Sequence, residues 1–245
     1  MPILELFNLK DDVAVVTGAG KGIGKGIAIA LAEAGSNVVL ASRTENDLNE
    51  VQEEIKKLGR EAIVVPIDVT NPNSFEDLSE KALKEFGKIS TWVNNAGGSP
   101  MRMPIIDLPR EEWDKTLALN LTAVYSGSVI AARHIDTGSI INISTFAIFE
   151  PDSNFPTSSV FRSGLAAFTK IYSDKYAIDN IRMNNILPGF IDSLPAKEEF
   201  LKKIPLKRYG KVSEISSVVE MLASEGGAYI TGQNIRVDGG ITRSV

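Results

Sequence analysis

Short apolar runs rich in valine and isoleucine alternate along the chain with longer stretches whose apolar positions recur at helical spacing. The runs VAVVTG (13–18), NVVLAS (37–42), AIVVPIDV (62–69), STWVNNAG (90–97), SIINIS (139–144), IRMNNILPG (181–189) and NIRVDGG (234–240) are close to continuous rather than alternating. That is the pattern of strands covered on both faces. Between them lie helical stretches at 22–34, 45–58, 74–86, 110–133, 160–176 and 213–224. Seven strands separated by helix-length spacers predict an α/β fold on a doubly wound parallel sheet, with helices on both faces. The segment 190–209, after the sixth strand, lacks periodicity and reads as a lid. In such a sheet a ligand sits beyond the carboxyl ends of the strands, where the strand order reverses, so the residues just after each strand carry the interest.

Composition narrows the picture. With 245 residues and 43% hydrophobic content the chain buries a full core, and no low-complexity segment or repeat marks a boundary, so one domain spanning 1–245 is expected. A net charge of −5 lacks the basic excess that binding a phosphate backbone needs, which argues against a nucleic-acid partner. The absence of cysteine excludes disulfides, thiolate catalysis and thiolate metal sites. A single histidine, His134, gives no basis for a metal site and reads as a helix-end or surface residue. No apolar run reaches the roughly 20 residues of a membrane span, and the N-terminus MPILELFNLKDD carries three acids, so a cytoplasmic, unexported protein is expected.

The first candidate for chemistry follows the first strand, in TGAGKGIGKGIAIALAEAG. Gly18, Gly22 and Gly24, with Ile23 between the last two, allow a tight turn and a close approach of a pyrophosphate to the backbone. They also open a helix whose N-terminus faces the anion. The alternative is a plain glycine-rich turn, but the position between a strand and an amphipathic helix favours a dinucleotide.

Here the chain resembles the short-chain dehydrogenase/reductase family, in particular its 3-oxoacyl reductase and hydroxysteroid dehydrogenase-like members. TGAGKGIG resembles the family's cofactor motif, NNAG (94–97) its fourth-strand motif, LPGF (187–190) its sixth-strand motif and GQNIRVDGG its last strand, in order and at matching separations. The resemblance implies a single Rossmann-like domain. It also implies that Asp68 and Val69 border the adenine and that Asn95, Ala96 and Gly97 pass the ribose and diphosphate. Pro188, Gly189, Ile191 and Ser193 would lie near the nicotinamide. At the end of the second strand, NAD-dependent sites place an acid on the ribose hydroxyls. This chain has Ser42 and Arg43 there, a hydroxyl and a guanidinium suited to a 2′-phosphate. With Lys21 in the glycine loop, the pairing resembles NADP-preferring members, so NADP(H) is expected over NAD(H). The alternative is that Arg43 and Lys21 are solvated charges.

Most family members carry an asparagine, a serine, and a tyrosine and lysine one helical turn apart. The tyrosine gives a proton, the lysine lowers its pKa from about 10 and holds the nicotinamide ribose, the serine orients the substrate oxygen and the asparagine holds a water. Asn120, in LALNLTAV, matches the asparagine, and NIST (142–145) puts Thr145 at the serine position with Ser144 before it. GLAAFTK (164–170) resembles the segment after the family lysine, and that register puts Ser158 at the tyrosine position and Arg162 at the lysine position. Phe155 has no hydroxyl, and Tyr172 and Tyr176 lie about four and five turns further on, so no shift of register restores the tyrosine.

Arg162 keeps a fixed cation for the ribose but releases no proton near neutral pH, and the Ser158 hydroxyl is a far weaker acid than a phenol. Three readings stay open. The chain is an NADP(H)-dependent oxidoreductase acting on a carbonyl/alcohol pair with an atypical donor, such as a water held by Ser158, Thr145 and Arg162. Or it is a dinucleotide-binding sensor or scaffold, with Ser158 and Arg162 only packing locally. Or it is a dehalogenating relative, which the retained cofactor glycines and the lost tyrosine both oppose. The substrate is a small molecule, with steroid, sugar, acyl thioester and small ketone all open. Met101, Met103, Phe149, Asp152, Phe155, the SPMRMP stretch (99–104) and segment 190–209 are candidates to line or cover its pocket. The resemblance further implies a homotetramer or homodimer through the 110–133 and 160–176 helices and the last strand.

Overall fold

The computed structural model describes residues 2–98, 103–153 and 155–244. Seven strands form one parallel sheet: β1 (Val13–Thr17), β2 (Asn37–Ser42), β3 (Ala62–Pro66), β4 (Thr91–Asn94), β5 (Gly138–Ile143), β6 (Ile181–Pro188) and β7 (Asn234–Val237), in the order β3-β2-β1-β4-β5-β6-β7. The order reverses between β1 and β4, where Val15 pairs with Val39 on one side and Trp92 on the other. That reversal opens the crevice in which ligands of such sheets sit.

Eight helices connect the strands among the described residues: α1 (Gly22–Glu33), α2 (Glu45–Lys57), α3 (Ser74–Phe86), α4 (Arg110–Leu117), α5 (Ala123–His134), α6 (Pro156–Tyr176), α7 (Glu198–Leu201) and α8 (Val212–Ala223). The pleat of β1 sorts its side chains between two cores. Ala14 and Val16 join Ile27 and Leu31 of α1, Leu48 of α2 and Val219 of α8. Val13 and Val15 join Phe75 and Leu78 of α3, Ile130 of α5 and Tyr172 of α6. This two-sided burial is why the strands read as continuous apolar runs.

The elements depart from the expected boundaries where the chain turns toward the crevice. The expected strand at 62–69 ends at Pro66, although Ile67 and Val69 are buried, because a run of apolar residues reports burial rather than pairing. The expected single helix at 110–133 is α4, a π turn at Ala118–Thr122 and then α5. Such turns insert one residue into a helix and often sit at functional sites; this one carries Asn120. Helix α6 starts at Pro156 rather than 160, with proline in the first turn where its missing N–H costs nothing. That puts Ser158 in the opening turn. The lid segment holds the short α7 and returns to the body through a bridge between Ile191 and Gly210.

An asparagine ladder runs across four strands. Asn94, Asn142, Asn185 and Asn234 are register partners. Asn94 Nδ2 donates to Asn142 Oδ1 at 2.9 Å, Asn142 Nδ2 to Asn185 Oδ1 at 3.0 Å, and Asn185 Nδ2 to Asn234 Oδ1 at 2.8 Å. Thr169 of α6 adds a bond to Asn185 Oδ1 at 2.9 Å. Buried amides are tolerated only when paired this fully, and the ladder locks the register of the strands that end at the site.

Candidate active site

The glycine loop is shaped by positions that accept no side chain. Gly18 (φ 66°) and Gly22 (φ 55°) lie in the left-handed region. A Cβ on Gly24 would stand 2.1 Å from the Gly18 carbonyl oxygen, and one on Gly22 would stand 3.4 Å from Ser193 Cβ. The loop therefore offers bare backbone to a ligand, with the start of α1 directed at it, and Ser193 of the lid faces it from across the crevice. Thr17, which the sequence reading passed over, ties this loop to the end of β4: its Oγ1 accepts from the N–H groups of Asn95 (3.0 Å) and Ala96 (3.1 Å). Asn95 Nδ2 donates to the Thr17 carbonyl at 3.0 Å, so its side chain braces the crevice floor. The threonine opening the TGAGKGIG motif was the available signal.

At the far end of the crevice, Ser42 Oγ is buried and has no partner. A buried hydroxyl left unpaired has capacity for one more hydrogen bond, from a water or a ligand. Arg43 beside it is exposed. Lys21 is engaged rather than free: its Nζ lies 3.0 Å from Asp47 Oδ2. Asp68 accepts from the Thr70 N–H at 2.9 Å and its hydroxyl at 2.8 Å, and these bonds, aided by the charge of Arg43, hold its carboxyl below the usual range. Val69 is buried behind it. Gly189 serves the backbone, since a Cβ there would stand 2.8 Å from Asp238 Cα at the end of β7. A cavity of about 270 Å³ gathers Ile23, Gly189, Ile191 and Ser193 with Phe190 and Tyr209, four of the predicted cofactor residues around one space. The donors and the side-chain-free cradle fit a nicotinamide dinucleotide.

The other half of the crevice, which holds the catalytic candidates, is organised around Arg162. Its Nη1 donates to the carbonyls of Ile143 (2.8 Å) and Ser144 (2.6 Å) at the end of β5, and its Nη2 to Asn120 Oδ1 (2.8 Å). The guanidinium lies over Gly97, where a Cβ would stand 2.5 Å from Nη2. Asn120 Nδ2 donates to the Gly98 and Thr116 carbonyls (2.7 and 3.2 Å), and its Oδ1 also accepts from the Gly98 N–H (3.0 Å). The asparagine and arginine thus clamp the ends of β4 and β5 together. Burial pulls the arginine pKa down to about 10, still well above neutrality, so the group stays a cation at physiological pH.

Ser158, one helical turn before Arg162, is half-buried, and its hydroxyl makes no hydrogen bond to another described residue. Thr145 Oγ1 accepts from the Ala147 N–H at 3.3 Å, which leaves its proton available. Ser144 Oγ is buried without a partner. Around them, Phe190 stacks on Phe200 at 4.2 Å between ring centres and lies 5.5 Å from Phe146 and 5.6 Å from Tyr209. Phe155 reaches Phe200 at 6.5 Å, so the lid meets the site through aromatic rings that the sequence pattern did not group. Of the other pocket candidates, Asp152 lies 4.0 Å from Lys203, and Phe149 carries Arg236 over its ring at 4.5 Å. Met103 is half-buried; Met101, with the rest of 99–102, lies outside the described residues. Among the described residues no group of three or more histidine, cysteine or acidic side chains is placed to hold a metal ion, and no helix is long and apolar enough to cross a membrane.

A protein-family model described as Enoyl-(Acyl carrier protein) reductase matches residues 18–242. The chain is 34% identical over 251 residues to a 2-dehydro-3-deoxy-D-gluconate 5-dehydrogenase of Escherichia coli, covering 97% of this chain and 98% of the relative. It is 30% identical over 243 residues to the 3-oxoacyl-[acyl-carrier-protein] reductase FabG of Thermotoga maritima, covering 95% and 98%. Among solved structures, a short-chain type dehydrogenase/reductase from Mycobacterium marinum superposes with a TM-score of 0.94 at 32% identity over the whole of both chains. A 7α-hydroxysteroid dehydrogenase complexed with NADH and 7-oxo glycochenodeoxycholic acid does so with a TM-score of 0.93 at 29% identity over 98% of each.

Proposed function

Since the chain belongs to the short-chain dehydrogenase/reductase family of oxidoreductases, we propose that it is an NADP(H)-dependent oxidoreductase acting on a carbonyl/alcohol pair with an atypical proton donor. The observation that carries this reading is a glycine loop with no room for a side chain and an unpartnered hydroxyl at the end of β2: a Cβ on Gly24 would collide with Gly18, and Ser42 Oγ is buried without a partner.

In this reading Gly18, Gly22, Ile23 and Gly24 at the start of α1 take the diphosphate. Ser42, Arg43 and Lys21 take the 2′-phosphate, and Asp68 and Val69 border the adenine. Asn95, Ala96 and Gly97 form the floor under the ribose, and Pro188, Gly189, Ile191 and Ser193 surround the nicotinamide. Bound there, the dinucleotide supplies or accepts a hydride. Thr145 orients the substrate oxygen through its free hydroxyl proton. A water held by Ser158 and Thr145 gives that oxygen its proton, and the fixed cation of Arg162 favours the hydroxide left behind. Asn120 positions Arg162 rather than a water, because Nη2 occupies its Oδ1.

A second reading, a dinucleotide-binding sensor or scaffold without efficient turnover, is favoured by one observation. Both terminal nitrogens of Arg162 are already engaged by the protein, so the cation is spent partly on structure. The test mixes the protein with NADPH and a panel of ketones, aldehydes and 3-oxoacyl thioesters. NADPH consumption above buffer supports the oxidoreductase. No consumption across the panel, with NADPH still raising the melting temperature, supports the sensor.

A further inference from the structure

The end of the crevice that meets the 2′-position holds a charge the sequence pattern did not point to. Asp47, in the first turn of α2, lies 3.0 Å from Lys21 Nζ through its Oδ2. A Cβ on Gly20 would stand 2.9 Å from Asp47 Cβ, 3.3 Å from Ser42 Oγ and 3.7 Å from Asp47 Oδ2. Carboxylate, unpartnered hydroxyl and glycine loop therefore converge on one spot. The side chain of Lys21 is 78% exposed and that of Asp47 only 21%, so the carboxylate is the fixed member of the pair and the ammonium the movable one. Arg43, on the same side, feels a second carboxylate, that of Asp68. Two cations and two acids thus meet at this end, where the sequence alone offered two free cations.

Resting on the NADP(H) reading above, we propose that Asp47 is a specificity-determining residue: it holds Lys21 in an ion pair that a 2′-phosphate must break, and so narrows the discrimination between NADPH and NADH. A 2′-phosphate brought to Ser42 meets the Asp47 carboxylate as a like charge. NADH carries no 2′-phosphate and leaves the Lys21–Asp47 pair intact. Because the Lys21 ammonium is largely exposed and screened by solvent, the effect is a graded factor and not an on–off switch. Replacing the carboxylate by its neutral isostere frees Lys21 for the phosphate and removes the repulsion, without changing what packs against Gly20.

The test is a fluorescence titration of NADPH and NADH into the wild type, Asp47→Asn, Lys21→Met and the double variant. Asp47→Asn is expected to raise the ratio Kd(NADH)/Kd(NADPH) by about three- to tenfold, through tighter NADPH binding with NADH changed less than about twofold. In the Lys21→Met background most of that gain disappears. Asp47→Ser, small enough to sit beside Gly20, repeats the measurement if the asparagine variant folds poorly. An unchanged ratio, equal shifts for both nucleotides, or a gain that survives Lys21→Met overturns the proposal. A wild-type ratio below one counts against the NADP(H) reading instead, and the change on Asp47→Asn decides the role of Asp47 in either case.

Discussion

At the scale of single residues, the two halves of the site differ in what they tolerate. Gly24 is fixed by a backbone atom, the Gly18 carbonyl oxygen, which would lie 2.1 Å from any Cβ and cannot rotate away. Gly24→Ala is expected to cost about 1–3 kcal/mol, as overpacking does, and to weaken NADPH binding at least roughly tenfold because the turn proposed to receive the diphosphate must shift. Calorimetry and nucleotide titration on the one variant read both effects; a variant that binds as the wild type does removes the loop from the site. Arg162 is a half-buried residue whose guanidinium is held by three oxygen acceptors and no carboxylate. Charged hydrogen bonds of this kind are costly to orphan. Asn120→Ala is therefore expected to cost about 2 kcal/mol, roughly 4–8 °C in Tm for a domain of this size, with faster amide exchange at Gly98, whose N–H and carbonyl it holds. A Tm within 1 °C of the wild type would mean that the clamp carries no stability.

At the scale of elements, the parallel sheet and its helices were legible because burial on two faces writes itself into continuous Val/Ile runs, and the glycine loop because its constraint is local. What the pattern could not convey is where side chains reach across elements. Nothing in ENDLNE marks Asp47, yet α2 brings it against the loop after β1. Asn185 read as a residue within a strand, and only its register partners Asn142 and Asn234 make it part of a ladder. Phe146, Phe155, Phe190 and Phe200 lie far apart in sequence, and the lid gathers them. That lid is anchored at its far end by Arg208, which grips Glu214 of α8 through two bonds of 2.7 and 2.6 Å. The Arg208 hydrogen bond, followed by that from the Lys211 N–H, pulls the Glu214 carboxyl down to about 2. A carboxylate lowered in the folded state contributes above its unfolded value, near 4.3, and loses that contribution as pH falls toward the folded value. Protease sensitivity of segment 190–209 is thus expected to stay constant from pH 8 to pH 5 and to rise below about pH 4. Glu214→Gln is expected to raise it already at pH 7; equal sensitivity of variant and wild type at pH 7 would rule out this anchor.

At the scale of the whole molecule, an apolar surface is left uncovered on one side. Tyr125 of α5 meets Phe168 of α6 edge-to-face at 5.7 Å, and Ile171, Tyr176 and Ile178 continue the exposed strip. Contiguous apolar surface of this kind marks an interface, and we propose a homotetramer or homodimer through α5 and α6. Light scattering is expected to give two or four chains per particle and a shift toward monomer for Ile171→Asp; a monomeric wild type contradicts the assignment. The central claim concerns the molecule as a machine: a dinucleotide oxidoreductase whose cofactor half is kept and whose proton supply is makeshift. The direct measurement is kcat/KM for NADPH-dependent reduction of one accepted carbonyl by the wild type and by Ser158→Tyr, Arg162→Lys, with NADPH affinity measured alongside. Loss of a general acid removes about 10² to 10⁴ in rate, so the account predicts a double variant faster by about 10² or more at similar NADPH affinity. A wild type as fast as the double variant, or one that does not bind NADPH, contradicts it.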